Sequence, residues 1–313
     1  MAEPPRIVFL GNPDLAVPPL NVLAGLYRVV LVVTNPDRPA GRRRRPQPTP
    51  VKREAERLGL PLWQPPTVRS PEALERIAAL RPDFLVVVAY GEILPGKLLA
   101  LPRLAPLNAH ASLLPRHRGP SPLSAAILAG DRETGVSIMR LVKRMDAGPI
   151  YLQEKLPIQP DDTAFSLGMR LAPVAARLLC RAVAGIAAGR LEARPQEGVA
   201  TYCPLLKRGD ALIDWEQPAA RIERMVRAYY PWPVAHTYYP GKRGRKRLLR
   251  LFRARVVEGS APPGEILPQE GRFLVATGAG LLELEEVQPE GSRRMSGAEF
   301  LRGHRLAAGT RLG

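Results

Sequence analysis

Cysteine is scarce in this sequence of 313 residues, which contains only Cys180 and Cys203. The two are far apart and form no Cys-x-x-Cys pair, so the sequence excludes a disulfide framework and gives no sign of a zinc site. Apolar runs are short as well, and none approaches the roughly 20 residues that a membrane-spanning helix needs. The first residues include Glu3, Pro4 and Pro5 and lack the pattern of a secretory signal. We therefore expect a cytoplasmic protein without a membrane partner.

The glycine-rich loop of dinucleotide-binding folds is also missing. The first apolar run is followed by Gly11-Asn12-Pro13, which lacks the Gly-x-Gly-x-x-Gly spacing that lets the main chain approach a pyrophosphate. We therefore expect no NAD, no ATP and no metal in the function of this chain.

Positive charge, by contrast, is abundant. The sequence has 46 Lys and Arg against 29 Asp and Glu, which gives a formal net charge of +17. An excess of this size favours a large anionic partner such as a nucleic acid. A genome that prefers arginine codons is the alternative explanation of the same composition.

Two clusters concentrate this charge. The first consists of Arg42, Arg43, Arg44 and Arg45 in a proline-rich stretch, and the second is residues 242–255, which contain no acidic residue. Because like charges repel one another, such stretches favour contact with phosphates. The alternatives are a disordered surface loop for the first cluster and a solvated hairpin for the second.

The order of apolar and helix-like segments up to Gly189 predicts the first domain. Several apolar runs, such as residues 84–90, show no alternation with polar residues, which is typical of a buried parallel sheet. Three helix starts combine a capping residue with a following proline, at Asn12, Thr49 and Ser70. The pattern predicts a doubly wound, Rossmann-like α/β domain.

The character of the sequence changes after residue 190. Residues 191–206 show no clear period and predict a linker on the surface. Beyond them, short β-like runs alternate with Pro and Gly clusters, which predicts a small, OB-like β-barrel. Two domains are the default for a chain of this length, and we place them at 1–190 and 207–313, joined by the linker.

Asn108 and His110 are the most informative pair of residues in the sequence. Side chains two positions apart on a strand point to the same face, so both emerge together where an apolar run ends. An amide can donate to an oxyanion, and an imidazole can move a proton near neutral pH. A histidine satisfied within the core is the alternative for His110. For Asp146, the local sequence beside Gly148 predicts only a turn residue.

Taken together, these motifs resemble the methionyl-tRNA formyltransferase family, from Arg6 to the C-terminal region. The matching N-terminal strings are Gly11-Asn12-Pro13-Asp14, Asn35-Pro36-Asp37-Arg38-Pro39-Ala40-Gly41-Arg42, Val86-Val87-Val88-Ala89-Tyr90-Gly91, Asn108-Ala109-His110, Ser112-Leu113-Leu114-Pro115 and Asp146-Ala147-Gly148. Several enzymes that use 10-formyltetrahydrofolate share these strings. The discriminating matches are Ile213-Asp214-Trp215 and Pro231-Trp232-Pro233 in the second domain, whereas Leu205 stands where a linker Lys is expected.

The resemblance implies a function and a set of site residues. It implies transfer of the formyl group of 10-formyltetrahydrofolate to the α-amino group of initiator methionyl-tRNA, through a tetrahedral intermediate, for translation initiation by a monomeric enzyme. The implied catalytic residues are Asn108, His110 and Asp146. Those implied to bind the folate are Ser112, Leu113, Leu114, Pro115, Tyr90, Gly91, Ile93 and Leu94. Those expected to bind the tRNA are Arg42, Arg43, Arg44, Arg45, Lys207, Lys242, Arg243, Arg245, Lys246 and Arg247.

Two other classes of function stay open at this point. One is a formyltransferase that acts on a small acceptor, either a sugar amine or glycinamide ribonucleotide, and the second-domain motifs argue against it. The other is a non-enzymatic RNA-binding protein that retains an inactive transferase fold. The presence of Asn108, His110 and Asp146 argues against that class.

Overall fold

The structure is a computed structural model that describes residues 3–40, 45–241, 245–269, 271–304 and 306–313. The chain forms two compact units. The first contains Met1–Pro122, Glu133–Pro157 and Gly168–Pro204, and the second contains Leu123–Arg132, Ile158–Leu167 and Leu205–Gly313. The second unit thus includes two short segments from within the predicted first domain. The domain limits at 190 and 207 stay predictions.

The first two-thirds of the chain supplies a seven-stranded sheet, a separate antiparallel pair of short strands, β3 and β4 in the ranges that follow, and helices. The strands are β1 (Arg6–Gly11), β2 (Arg28–Val33), β3 (Arg38–Ala40), β4 (Arg45–Gln47), β5 (Leu62–Trp63), β6 (Phe84–Val88), β7 (Ala105–His110), β8 (Glu133–Arg140) and β9 (Ile150–Pro157). The helices are α1 (Val17–Leu26), α2 (Pro50–Arg57), α3 (Pro71–Ala79), α4 (Gly96–Leu99), α5 (Pro122–Ala129) and α6 (Ala164–Ala187). A short 3-10 helix, Asp14–Ala16, precedes α1.

Seven strands form a mixed sheet in the order β5-β2-β1-β6-β7-β8-β9. The pairs from β5 to β7 are parallel, and β8 and β9 are antiparallel to their neighbours. All residues of β6 are buried, as expected for a central strand covered on both faces. The predicted doubly wound α/β fold is confirmed.

Two of the three predicted helix caps are confirmed. The hydroxyls of Thr49 and Ser70 accept main-chain N–H groups of the first turns of α2 and α3, at 3.0 Å and 3.2 Å. The prediction for Asn12 was wrong, because α1 begins only at Val17. The Asn12 amide donates to the main-chain oxygen of Tyr90, and its Oδ1 accepts the Thr34 hydroxyl at 2.9 Å. Asn12 therefore ties together loops at the sheet edge.

The rest of the chain forms an antiparallel sheet with two helices. The helices are α7 (Ala219–Ala228) and α8 (Gly297–His304). The strands are β10 (His236–Pro240), β11 (Lys246–Val257), β12 (Ile266–Gln269), β13 (Arg272–Ala276), β14 (Leu281–Pro289) and β15 (Met295–Ser296). The described strands pair in the order β10-β11-β14-β13-β12, with β15 on β14. Trp215, Tyr239, Phe273 and Phe300 are buried in one core of this unit. The predicted small β domain is confirmed as a curled, half-barrel sheet.

Candidate active site

Strand β7 positions the first two candidate catalytic residues. It is parallel to β6 and antiparallel to β8, so both of its edges are fixed by main-chain pairing. Asn108 and His110 lie two positions apart near its carboxyl end, and their side chains therefore point to the same face. His110 is only 6% exposed, whereas Asn108 is partly exposed. Within the described residues, the Asn108 amide has no hydrogen-bond partner, so its N–H groups are available to a ligand.

The two ring nitrogens of His110 face different groups. Nε2 lies 2.9 Å from the main-chain oxygen of His117. A carbonyl oxygen only accepts, so this contact assigns the ring hydrogen of neutral His110 to Nε2. Nδ1 lies 3.8 Å from Oδ2 of Asp146, beyond a direct hydrogen bond. The proton-accepting nitrogen of neutral His110 is therefore Nδ1, next to a carboxylate.

Asp146 lies in a constrained turn after β8. Its φ is +48°, in the left-handed region that Asp tolerates better than most residues. Its Oδ2 accepts the main-chain N–H of Gly119 at 2.7 Å. A Cβ on Gly148 would lie 1.8 Å from the main-chain oxygen of Arg140, so only glycine lets the turn pack against the end of β8. The Asp-Ala-Gly string thus has a packing reason as well as a chemical one.

Hydrogen bonds fix the loop from Ser112 to Pro115. The Ser112 hydroxyl donates to the main-chain oxygen of Arg116 at 2.7 Å. The Ser137 hydroxyl of β8 donates to the Ser112 oxygen at 2.6 Å and accepts the Leu114 N–H at 3.1 Å. Gln153 of β9 donates to Ser137 and to the Leu114 oxygen. Leu114 and Pro115 are buried and Leu113 is partly buried. The sequence did not predict a role for Ser137 or Gln153, because only the pairing of β7, β8 and β9 brings them to this loop.

The segment from Tyr90 to Leu94 follows β6, the strand beside β7. Tyr90 is 1% exposed and its hydroxyl has no partner among the described residues; burial raises the pKa of this phenol. Gly91 has a φ of +86°, which favours glycine. Ile93 is 61% exposed and Leu94 is 9% exposed. The segment thus exposes the side chain of Ile93 to solvent and buries those of Tyr90 and Leu94.

The predicted linker pairs with residues 117–119, which follow the loop from Ser112 to Pro115. The main-chain N–H and oxygen of Arg118 pair with the Thr201 oxygen at 2.9 Å and the Cys203 N–H at 2.8 Å. The Thr201 hydroxyl accepts the His117 N–H at 2.8 Å. Burial, and to a lesser degree the Asp146 carboxylate, raises the pKa of the Cys203 thiol. Residues 201–203 therefore pair with residues 117–119 through an isolated β-bridge between Tyr202 and Arg118, which the irregular linker sequence did not predict.

Several residues predicted to bind tRNA have no described position. Arg42, Arg43, Arg44, Lys242 and Arg243 lie outside the described residues. The main chain of Arg45 belongs to β4, and the side chains of Lys207, Arg245 and Lys246 are exposed. Arg247 donates to the main-chain oxygen of Glu290 at 3.1 Å, and its guanidinium lies 5.7 Å from the centre of the Tyr239 ring.

The acid-free stretch after residue 242 is partly neutralised by the neighbouring strand. Arg253 contacts Glu285 of β14 at 2.8 Å, and Arg255 contacts Glu283 at 2.8 Å. Arg272 also binds Glu283, and the two arginines lower the pKa of this carboxyl to about 2. Self-repulsion therefore does not extend over the whole stretch, because the sheet supplies acids that are distant in sequence.

The described part of the chain contains no candidate metal site and no candidate membrane span. Among these residues, no group of three or more His, Cys, Asp or Glu side chains is arranged to hold a metal ion. The described helices include none whose length and apolar character would let it cross a membrane.

Comparisons with known proteins identify the family. Residues 7–183 match the family model for formyl transferase, and residues 205–305 match that for the formyl transferase C-terminal domain. A methionyl-tRNA formyltransferase of Roseiflexus castenholzii is 50% identical, covering 98% of this chain and 99% of the relative. One of Methylococcus capsulatus is 47% identical, with the same two shares. The crystal structure of HypX from Aquifex aeolicus in complex with tetrahydrofolic acid shows a similar fold, with a TM-score of 0.64 at 17% identity. The match covers 96% of this chain and 47% of that one. The chain therefore belongs to the methionyl-tRNA formyltransferase family.

Proposed function

We propose that this chain transfers the formyl group of 10-formyltetrahydrofolate to the α-amino group of initiator methionyl-tRNA, as a cytoplasmic monomer. The observation that carries the proposal is the placement of three polar groups. An unpaired Asn108 amide lies on the same strand face as His110, and Nδ1 of His110 lies 3.8 Å from the Asp146 carboxylate. Membership of the family over nearly the full length of its relatives supports the same conclusion.

Asn108 is suited to stabilise the oxyanion of the reaction. The amine nitrogen attacks the formyl carbon, and negative charge then develops on the formyl oxygen. A fixed donor at such a position contributes about 3 to 4 kcal/mol in comparable acyl transfers. The uncommitted amide hydrogens of Asn108 can make this hydrogen bond without first breaking another one.

His110 is suited to move the proton. An α-amino group titrates near about pH 8, so a useful fraction is neutral at physiological pH. As the new C–N bond forms, the amine proton passes to Nδ1. It then passes to the folate nitrogen as the old C–N bond breaks. The His117 oxygen keeps Nε2 protonated, and Asp146 stabilises the positive charge that the ring carries between the two transfers.

The loops beside the site fit the folate donor. A flat, partly apolar ring system needs apolar walls and a few main-chain polar groups. The segments after β6 and β7 provide the apolar side chains of Leu94 and Leu114. We assign the donor to Ser112, Leu113, Leu114, Pro115, Tyr90, Gly91, Ile93 and Leu94. Because Ser112 is fully buried and its hydroxyl is bound to Arg116, its part is to shape the loop.

Basic residues on both parts of the chain fit the phosphates of a tRNA. Arg245 and Lys246 are exposed at the start of β11, where the described acids pair with arginines farther along the strand. We assign contact with tRNA to these two residues, to Lys207 and Arg247, and to Arg42, Arg43, Arg44, Arg45, Lys242 and Arg243.

Formyl transfer to three acceptors tests the proposal. The purified chain is supplied with 10-formyltetrahydrofolate and either initiator methionyl-tRNA, glycinamide ribonucleotide or a nucleotide-linked amino sugar. We expect formylated tRNA from the wild type, and a loss of about a hundredfold or more in kcat for His110→Ala. Activity on a small acceptor alone would assign another substrate class, and inactivity on all three would assign an RNA-binding role without catalysis.

A further inference from the structure

Gln196, in the predicted linker, contacts the turn that carries Asp146. Its Nε2 lies 2.8 Å from the main-chain oxygen of Asp146 and 2.8 Å from that of Gly148. One side-chain amide therefore bridges both ends of the Asp-Ala-Gly turn. Each of its two N–H groups has one acceptor, so the donor capacity of the amide is used completely.

Arg118 fixes the orientation of the Gln196 amide. Its Nε and Nη2 donate to Oε1 of Gln196, at 3.1 Å and 2.6 Å. The flipped amide would place N–H groups against the guanidinium and its oxygen against two carbonyls, which would lose all four hydrogen bonds. Arg118 is only 8% exposed, so solvent does not compete strongly for these contacts. The network thus permits one orientation of Gln196.

The two neighbours of Arg118 in the sequence contact His110 and the Asp146 carboxylate. His117, immediately before Arg118, provides the oxygen that accepts from His110, and Gly119, immediately after it, provides the N–H that binds the Asp146 carboxylate. A Cβ on Gly119 would lie 2.1 Å from the Cys203 oxygen. Residues 117–119 therefore connect the imidazole, the carboxylate and Gln196 through contacts that leave little room for adjustment.

We propose that Gln196 is a positioning residue for Asp146, which sets the place of the carboxylate relative to Nδ1 of His110. The inference deepens the proposed function and rests on it. Asp146 has a left-handed φ of +48°, which is uncommon for residues other than glycine even though Asp tolerates it better than most. Two anchors hold it there: Gly119 binds the carboxylate and Gln196 binds the main-chain oxygens on either side of Ala147. Without Gln196, the turn loses the only side-chain donor to its main chain among the described residues. The Asp146 carboxylate would then no longer be held at a fixed distance from the His110 ring.

Gln196→Glu isolates this role. The carboxylate has nearly the shape of the amide and still accepts from Arg118, but it cannot donate to the Asp146 and Gly148 oxygens. We expect kcat to fall between about tenfold and a hundredfold, because small displacements of a reacting group have effects of this size. KM for both substrates should change less than kcat. Glu197→Gln is the matched control, since Glu197 is exposed and has no contact among the described residues.

A double-mutant cycle with Asp146→Asn separates positioning from general stability. If Gln196 acts through the carboxylate, Gln196→Glu should reduce kcat little further once that carboxylate is gone. Equal reductions in both backgrounds, or a Gln196→Glu variant with the kcat of the wild type, would overturn the inference. If the wild type does not formylate tRNA, that result would count against the proposed function instead. The cycle would then be measured with the small acceptor that the wild type does formylate.

Hydrogen exchange at Gly119 tests the inference without any substrate. This amide donates to the Asp146 carboxylate, so its protection reports whether the carboxylate stays in place. We expect faster exchange at Gly119 in Gln196→Glu than in Glu197→Gln, with thermal midpoints that agree within a few degrees. Unchanged protection of Gly119 would show that Gln196 does not hold Asp146.

Discussion

The Asp146 carboxylate does not make a direct hydrogen bond with His110. Its Oδ2 lies 3.8 Å from Nδ1 of the ring and accepts instead from the Gly119 N–H, at 2.7 Å. A carboxylate at this distance can stabilise a protonated ring through charge while Nδ1 stays open to a substrate proton. Charge and position of the carboxylate should therefore matter separately.

Asp146→Asn tests the importance of that charge. The amide oxygen of Asn can still accept from Gly119, so the turn should keep its place, but the imidazolium loses its counter-charge. We expect kcat to fall by about a hundredfold and the thermal midpoint to stay close to that of the wild type. Steady-state kinetics and calorimetry measure the two quantities. A variant with the kcat of the wild type would exclude an electrostatic role for Asp146.

Asn108→Ala tests the oxyanion donor. Because the amide has no described partner, its removal leaves no buried group unsatisfied and should affect the transition state more than the ground state. We expect kcat to fall by about a hundredfold to a thousandfold with little change in KM. Asn108→Asp, which replaces the donor with an acceptor, should be at least as impaired. A change confined to KM would assign Asn108 to substrate binding.

Glu283 should make stability depend on acidic pH. Arg272 and Arg255 lower its pKa from 4.5 to about 2, so its contribution is complete above pH 4.5 and decreases as the pH falls towards 2. We expect Glu283→Gln to cost about 1 kcal/mol, or about 2–4 °C in thermal midpoint, at pH 7. This difference should shrink between pH 4.5 and 3.

Glu285→Gln is the control for this pH series, since Glu285 contacts Arg253 and Arg255 but is more exposed. A Glu283→Gln deficit that stays constant from pH 7 to 3 would show that the ion pairs do not cause it.

The start of β11 should contribute to the salt dependence of tRNA binding. Replacing Arg245 and Lys246 with Ala removes two exposed cations without described acidic partners. We expect a higher KM for tRNA and a slope of log affinity against log salt that is shallower by about 1 to 2. Filter binding at several salt concentrations measures the slope.

Arg253→Ala and Arg255→Ala provide the comparison, because both arginines already have carboxylate partners on β14. Equal slopes for the wild type and the Arg245 and Lys246 variant would place tRNA contacts elsewhere.

The fold class, the family and the candidate residues were all predictable from the amino-acid sequence. Local rules suffice for these, because apolar runs mark the buried strands, Thr49 and Ser70 cap the first turns of their own helices, and the two-residue period of β7 puts Asn108 beside His110. The family strings added Asp146, which its local sequence would have left as a turn residue.

Long-range packing, by contrast, determines which groups meet around those residues. Gln196, Ser137 and Gln153 approach the site through strand pairing and through the folding of the connecting segment onto residues 117–119, and no sequence period relates such distant positions. The distance from Asp146 to His110 and the pairing of Glu283 with two arginines depend on the same long-range packing. Local propensity sets the direction of a side chain, whereas the partner it meets depends on how distant segments pack together.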